Sequence, residues 1–184
     1  FVIREGSITV DGNPEEWEDL FLSFIADPEG DGEGNDPAVD IKSVSVVKDS
    51  EYVYFMMDFW NGIDGSPAEY REYQFAVNYR SESGGYIGSY NGRIVYDASE
   101  QAWSAEVTDS LWGNDDEPGE NTLLYEGDDL FAVGEVLEMR VPVSVYGELS
   151  GATFCYTDAR RELYDEAEDT YYWYNDSLGF DISF

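Results

Sequence analysis

Residues 52–60 read Tyr-Val-Tyr-Phe-Met-Met-Asp-Phe-Trp, and in an extended chain Val53, Phe55, Met57 and Phe59 share one face. Side chains alternate across a strand, so an apolar set recurring at every second residue marks a strand with one face in a core. The same period recurs along the chain. Tyr73, Phe75, Val77 and Tyr79 alternate with Gln74, Ala76 and Asn78, and Trp103, Ala105 and Val107 with Ser104, Glu106 and Thr108. Leu137, Met139, Val141 and Val143 alternate with Glu138, Arg140 and Pro142. Shorter runs at 7–10, 41–47, 93–96, 153–157 and 180–184 complete the set, separated by Gly, Asn, Asp and Pro clusters suited to turns. Helical signal is sparse. Asn13 and Pro14 suit the cap and first position of one turn reaching Leu20, and residues 158–168 read as a short helix. The pattern predicts an all-β fold: an antiparallel, jelly-roll-like β-sandwich of about nine to ten strands with little helix. No repeat or linker divides residues 1–184, which read as a single domain.

Composition narrows the function. The chain has 184 residues, 42% of them hydrophobic, so it folds and is not a disordered acidic tail. Nine basic residues face 41 acidic ones, for a formal charge of -32. Nucleic acid is excluded as a partner, because no basic stripe exists to neutralise phosphates, and an anionic membrane surface is repelled for the same reason. Histidine is absent. That removes Ser-His-Asp and Cys-His nucleophile arrangements and the usual zinc and haem ligation. The single cysteine, Cys155, permits no internal disulfide and reads as a reduced residue in a strand. No apolar stretch approaches a membrane span, and none reads as a signal peptide. The opening Phe1-Val2-Ile3 is strand-like at once, which suits a mature chain after leader cleavage or a domain of something longer. A charge this large repels itself and needs an offset, by bound cations or by screening in high salt.

The most informative loop is Asp27-Pro-Glu-Gly-Asp-Gly-Glu-Gly-Asn-Asp-Pro-Ala-Val-Asp40. Carboxylates separated by glycines let a loop curl so that several oxygens converge, and calcium takes six to eight hard oxygen ligands at flexible geometry. Candidate ligands are Asp27, Asp31, Asp36 and Asp40; the competing reading is a solvated acidic turn. The clusters at 114–121 and 126–129 read as solvated loops. Acids at 165–169 lead into the aromatic run Tyr171-Tyr172-Trp173-Tyr174.

Aromatic residues make up 16% of the chain. Sugar rings stack their C–H faces on Trp and Tyr while carboxylates and amides take the hydroxyls, so acids beside aromatics suit glycan binding. Sandwich cores also consume aromatics. Trp17 and Trp103 belong to the core by position. Trp60, Trp112, Tyr172 and Trp173 sit at strand ends or in loops and are the candidate ligand-binding platform. Asn175-Asp176-Ser177 is an N-glycosylation sequon, expected on an extracellular surface loop if used. Acid pairs are too abundant in this chain to mark a hydrolase, and no positive sign of an enzyme exists.

Several segments together resemble the family 9 carbohydrate-binding modules and their DOMON-like relatives. These are Ile8-Thr-Val-Asp-Gly-Asn-Pro-Glu-Glu-Trp17, the loop at 27–40 running into Ile41-Lys-Ser-Val44, then Tyr52-Val-Tyr-Phe55, and lastly Val133-Gly-Glu-Val-Leu-Glu-Met-Arg-Val-Pro142 with its Glu-x-Arg-x-Pro strand. They fall in the family's order over nearly the whole chain. The resemblance implies a jelly-roll-like sandwich, secretion, a structural calcium held by Asp27, Asp31 and Asp40, and often sugar binding. The expected function is therefore a secreted, non-catalytic carbohydrate-binding or adhesion module, its partner a polysaccharide or glycan. The alternative is a calcium-bridged structural subunit of an extracellular filament or cell-surface layer, its partners copies of itself.

Overall fold

The alternating segments pair into two six-stranded sheets packed face to face as a β-sandwich. The computed structural model describes residues 3–20, 24–32, 36–81, 84–113, 119–147 and 152–183. In chain order these form β1 (Arg4–Glu5), helix α1 (Glu15–Asp19), β2 (Ile25–Ala26), β3 (Ile41–Lys48), β4 (Tyr52–Phe59), β5 (Arg71–Arg80), β6 (Tyr86–Asp97), β7 (Ala102–Leu111), β8 (Glu120–Glu126), β9 (Phe131–Val133), β10 (Leu137–Pro142), β11 (Ala152–Asp165) and β12 (Thr170–Ser183). The first sheet has the order β1-β3-β4-β10-β9, with β2 also on β3; the second runs β12-β11-β5-β6-β7-β8. All pairings are antiparallel except β1 with β3.

Val53, Phe55, Met57 and Phe59 are all buried between the sheets, as their alternation predicts. Phe55 meets Phe75 of the facing sheet at 5.1 Å between ring centroids, and Phe59 meets Tyr73 edge-on at 5.4 Å. Trp103 packs between Tyr73 and Tyr96 at the rim of this core. Cys155 lies in the core as a free thiol, and burial pushes its pKa well up, so it is inert as a nucleophile.

A second, smaller core covers part of the first sheet's outer face, joining Ile8, Trp17, Val47, Tyr54, Met56 and Val136. Glu138 anchors it. Its carboxylate is fully buried and accepts Trp17 Nε1–H at 2.5 Å, Gly12 N–H at 2.6 Å and Asp11 N–H at 2.8 Å. Gly12 has φ +80, and a Cβ there would stand 2.6 Å from the backbone nitrogen of Gly134, so both the conformation and the space demand glycine. The expected helical turn is present as α1, with Pro14 rather than Asn13 at the cap position, and Asn13 Oδ1 accepts Glu15 N–H at 3.1 Å just before it.

Three local expectations are corrected. Residues 7–10 form no strand: Glu16 takes both the backbone N–H and the hydroxyl of Thr9, in place of a sheet neighbour. Residues 158–165 are not helical but continue β11, because β12 pairs with all of them and β5 with those up to Arg161; a turn follows at 166–169. Among the described residues the strands number twelve, against the expected nine to ten or so. β8 escaped notice because every one of its residues is exposed, which leaves no apolar alternation to read.

Candidate metal centre and the neighbouring groove

The loop at 27–40 joins β2 to β3 and returns upon itself. Asp27 N–H donates to Lys42 C=O at 3.0 Å, prolonging the β2–β3 pairing by one residue. The Asp40 carboxylate, itself buried, accepts Gly30 N–H with both oxygens at 3.1 and 3.0 Å and so ties the curl shut. Asp36 accepts Ala38 N–H in a local turn, and its two oxygens take Arg161 Nη1 at 2.9 and 2.7 Å, which fastens the loop to β11. Gly32 passes so close to β12 that a Cβ would lie 2.9 Å from Asp176 Cβ.

This folding brings Asp27, Asp31 and Asp176 together, one carboxylate oxygen of each lying within 4.8 Å of the others. Asp176 projects between the sheets from β12. Its oxygens accept Ile41 N–H and Ser177 N–H, both at 2.8 Å, which orients the carboxylate and bridges the sheets. Asp27 is 7% exposed and its Oδ2 is buried without a hydrogen-bond partner. A buried acceptor left unpaired carries a desolvation cost on the order of 1–3 kcal/mol. Burial first, then the Asp176 and Asp31 charges, raise the Asp27 pKa to about 7; burial likewise raises Asp176. An all-oxygen set with an unsatisfied buried carboxylate fits a hard divalent cation such as calcium, and offers none of the nitrogen or sulfur that zinc prefers.

Of the expected ligands, Asp27 and Asp31 converge, Asp40 braces the loop, and Asp36 is engaged by Arg161. Asp176 was missed. Its signal lay in the row Tyr174, Asp176, Leu178, Phe180, Ile182, where a carboxylate occupies a position of the core-facing period.

Trp60 links this cluster to a groove. Its Nε1–H donates to Asp27 C=O at 3.2 Å and its N–H to Asp40 C=O at 3.1 Å. The ring, 41% exposed, forms one wall of a cavity of about 520 Å³ on the first sheet's outer face, with Phe24, Trp17 and Met56 also lining it. Lys42 and Asp58, paired at 2.6 Å, supply charge at its side.

The other candidates are dispersed. Trp112 lies on the outer face of the second sheet, 48% exposed. Trp173 is exposed on the same side and meets Tyr70 edge-on at 5.8 Å. Tyr172 is exposed too, but strand alternation turns it to the opposite side, where its hydroxyl donates to Glu168. Asn175 lies within β12, opposite Arg160, rather than on a loop, so the sequon occupies regular strand with the buried Asp176 at its centre. Of the acidic cluster at 114–121, residues 114–118 fall outside the described residues, as do Phe1 and Val2 of the opening run. Asp129 of the next cluster pairs with Arg140 at 2.8 Å.

Among the described residues, no helix is long and apolar enough to cross a membrane. Searches of protein-family models and of curated proteins find no match to the chain.

Proposed function

We propose that the chain is a non-catalytic carbohydrate-binding module acting outside the cell or at its surface, braced by a calcium ion at Asp27, Asp31 and Asp176. The tether between Trp60 and the acidic loop carries this reading. A cation drawn in by the three carboxylates fixes the Asp27 backbone, and the Asp27 carbonyl in turn fixes the Trp60 ring at the groove wall. A flat indole beside an apolar floor and a Lys–Asp pair suits a sugar ring, whose C–H face stacks while its hydroxyls find charged partners. The resemblance of the quoted segments to the family 9 modules supports the same assignment. The test is retention of the native chain on immobilised glycans with calcium present. Trp60→Ala should lose retention while its calcium-dependent melting shift persists; equal retention by both chains removes the groove as the sugar site.

A second reading, a calcium-bridged structural subunit, is favoured by one observation. β8 is an open sheet edge whose Leu123, Leu124 and Tyr125 are all exposed, a surface prone to strand addition. Light scattering in calcium and in chelator tests it: particles that grow with calcium support assembly, and a monomer in both rejects it.

A further inference from the structure

We infer that the outer face of the second sheet is a separate binding surface for an extended, uncharged polysaccharide chain, lying along the strands between Trp112 and the Tyr70–Trp173 pair. This goes beyond the Trp60 groove, which lies on the other sheet.

Strand alternation sets Gln74 and Asn78 of β5, Ser89, Asn91 and Arg93 of β6, and Ser110 of β7 on this face. They form a preordered polar floor. Asn91 is buried and accepts from Gln74 Nε2 at 3.1 Å and Ser89 Oγ at 3.0 Å, while its Nδ2 donates to Ser110 Oγ at 2.6 Å. Gln74 is thus held through Nε2 and lines both cavities on this face. Two cavities of about 350 and 600 Å³ lie side by side and share Gln74 and Asn91 as lining, a trough in two parts. Along β5 the cavity-lining residues run from Asn78 to Glu72, about 20 Å at the strand rise, room for several sugar rings and not one.

Charge decides the ligand class. Arg93 pairs with Glu72 at 2.6 Å and with Glu106 at 3.1 Å, and Arg160 with Asp158 and Glu72. Both guanidiniums facing the trough are thereby neutralised, and the chain around them carries -32. A polyanion is repelled, while a neutral chain finds fixed donors and acceptors. Trp112 lines one cavity, and beyond the other the Tyr70 hydroxyl accepts from Arg93 while its ring meets Trp173, so aromatic surface flanks the polar floor on both sides. An extended peptide is disfavoured because this is the middle of a six-stranded sheet, whose backbone groups are spent on their own ladder.

The test is native affinity electrophoresis in gels containing, one at a time, soluble β-1,4-glucan, β-1,3-glucan, β-1,4-mannan or, as the charged probe, polygalacturonate. At least one neutral polymer should retard the native chain. Trp112→Ala and Gln74→Ala should each weaken that binding by about tenfold or more, in the native chain and equally in a Trp60→Ala background, where the first groove no longer contributes. Absence of retardation by all three neutral polymers overturns the inference, as does binding that survives both substitutions or a stronger response to polygalacturonate. Retardation lost only with Trp60→Ala places the polymer in the first groove and overturns the second surface without touching the first reading.

Discussion

Trp60 Nε1 donates to the backbone carbonyl of Asp27 at 3.2 Å, so the ring that walls the groove and the carboxylate with the unpaired buried oxygen belong to one residue-to-residue contact. Cation uptake at the cluster is therefore expected to reach the groove without any larger movement. Calcium added to chelator-stripped protein should change the tryptophan fluorescence, and Trp60→Phe should remove most of that change. An unaltered difference spectrum in Trp60→Phe disconnects the two.

Removing charge from the cluster separates its stability from its chemistry. In chelator at neutral pH, Asp27→Asn should melt above the native chain, because a buried carboxylate beside Asp31, Asp40 and Asp176 is replaced by a neutral amide. In calcium the order should invert. The native chain gains by mass action, about 2.7 kcal/mol at a hundred times the dissociation constant, and the variant loses that gain. Melting curves in the two buffers check both halves.

The pH dependence has a definite sign. Asp27 titrates near 7 when folded against an ordinary value of 3.8, so between those values the folded state holds the extra proton. Metal-free stability should then fall as pH rises through that window, with nothing lost below it. Protons and calcium compete for the same oxygens, so the stabilisation calcium confers should grow with pH over the same range. Denaturant midpoints at pH 5 and pH 7.5, with and without calcium, measure this directly.

Glu138 is a structural acid, held by three N–H donors from the turn that leads into α1. Trp17→Phe withdraws one donor from a fully buried carboxylate, at an expected cost of about 1–3 kcal/mol, and adds the cost of the gap left by the smaller ring. Gly12→Ala should cost more, since the new methyl meets the Gly134 backbone and φ is positive. Neither substitution should alter calcium affinity, which isothermal titration of folded protein would establish.

Arg161 secures the far side of the acidic loop through Asp36, and its Nε lies 2.9 Å from Glu69. Arg161→Ala leaves the buried Asp36 carboxylate without its cation, an expected loss of about 3–5 kcal/mol. Because Asp36 is not one of the converging three, Arg161→Ala should weaken calcium binding far less than Asp31→Ala, a comparison made by calcium titration of both.

The core was legible because burial imposes its period directly: the alternation of Val53, Phe55, Met57 and Phe59 survives intact in the fold. β8 was not legible, since a strand exposed along its whole length is under no such pressure. Residues 158–165 misled for a related reason. Their outward Asp158 and Arg160 are paired over the sheet, and the charged sequence resembles a solvated helix until the flanking strands are known. The loop at 27–40 announced its acids, but not which of them converge. That depends on Asp176, which is 136 residues beyond Asp40 and joins the cluster only through the closure of β12 against β3.

The most direct measurement is calorimetric titration of calcium into chelator-stripped protein, run in parallel on the native chain and on Asp176→Asn. The native chain should take up calcium in a saturable event and melt several degrees higher when loaded, and the variant should fold yet lose that event. A native chain that takes up no calcium, or a variant that binds it equally well, contradicts the centre and with it the link from Asp27 to Trp60.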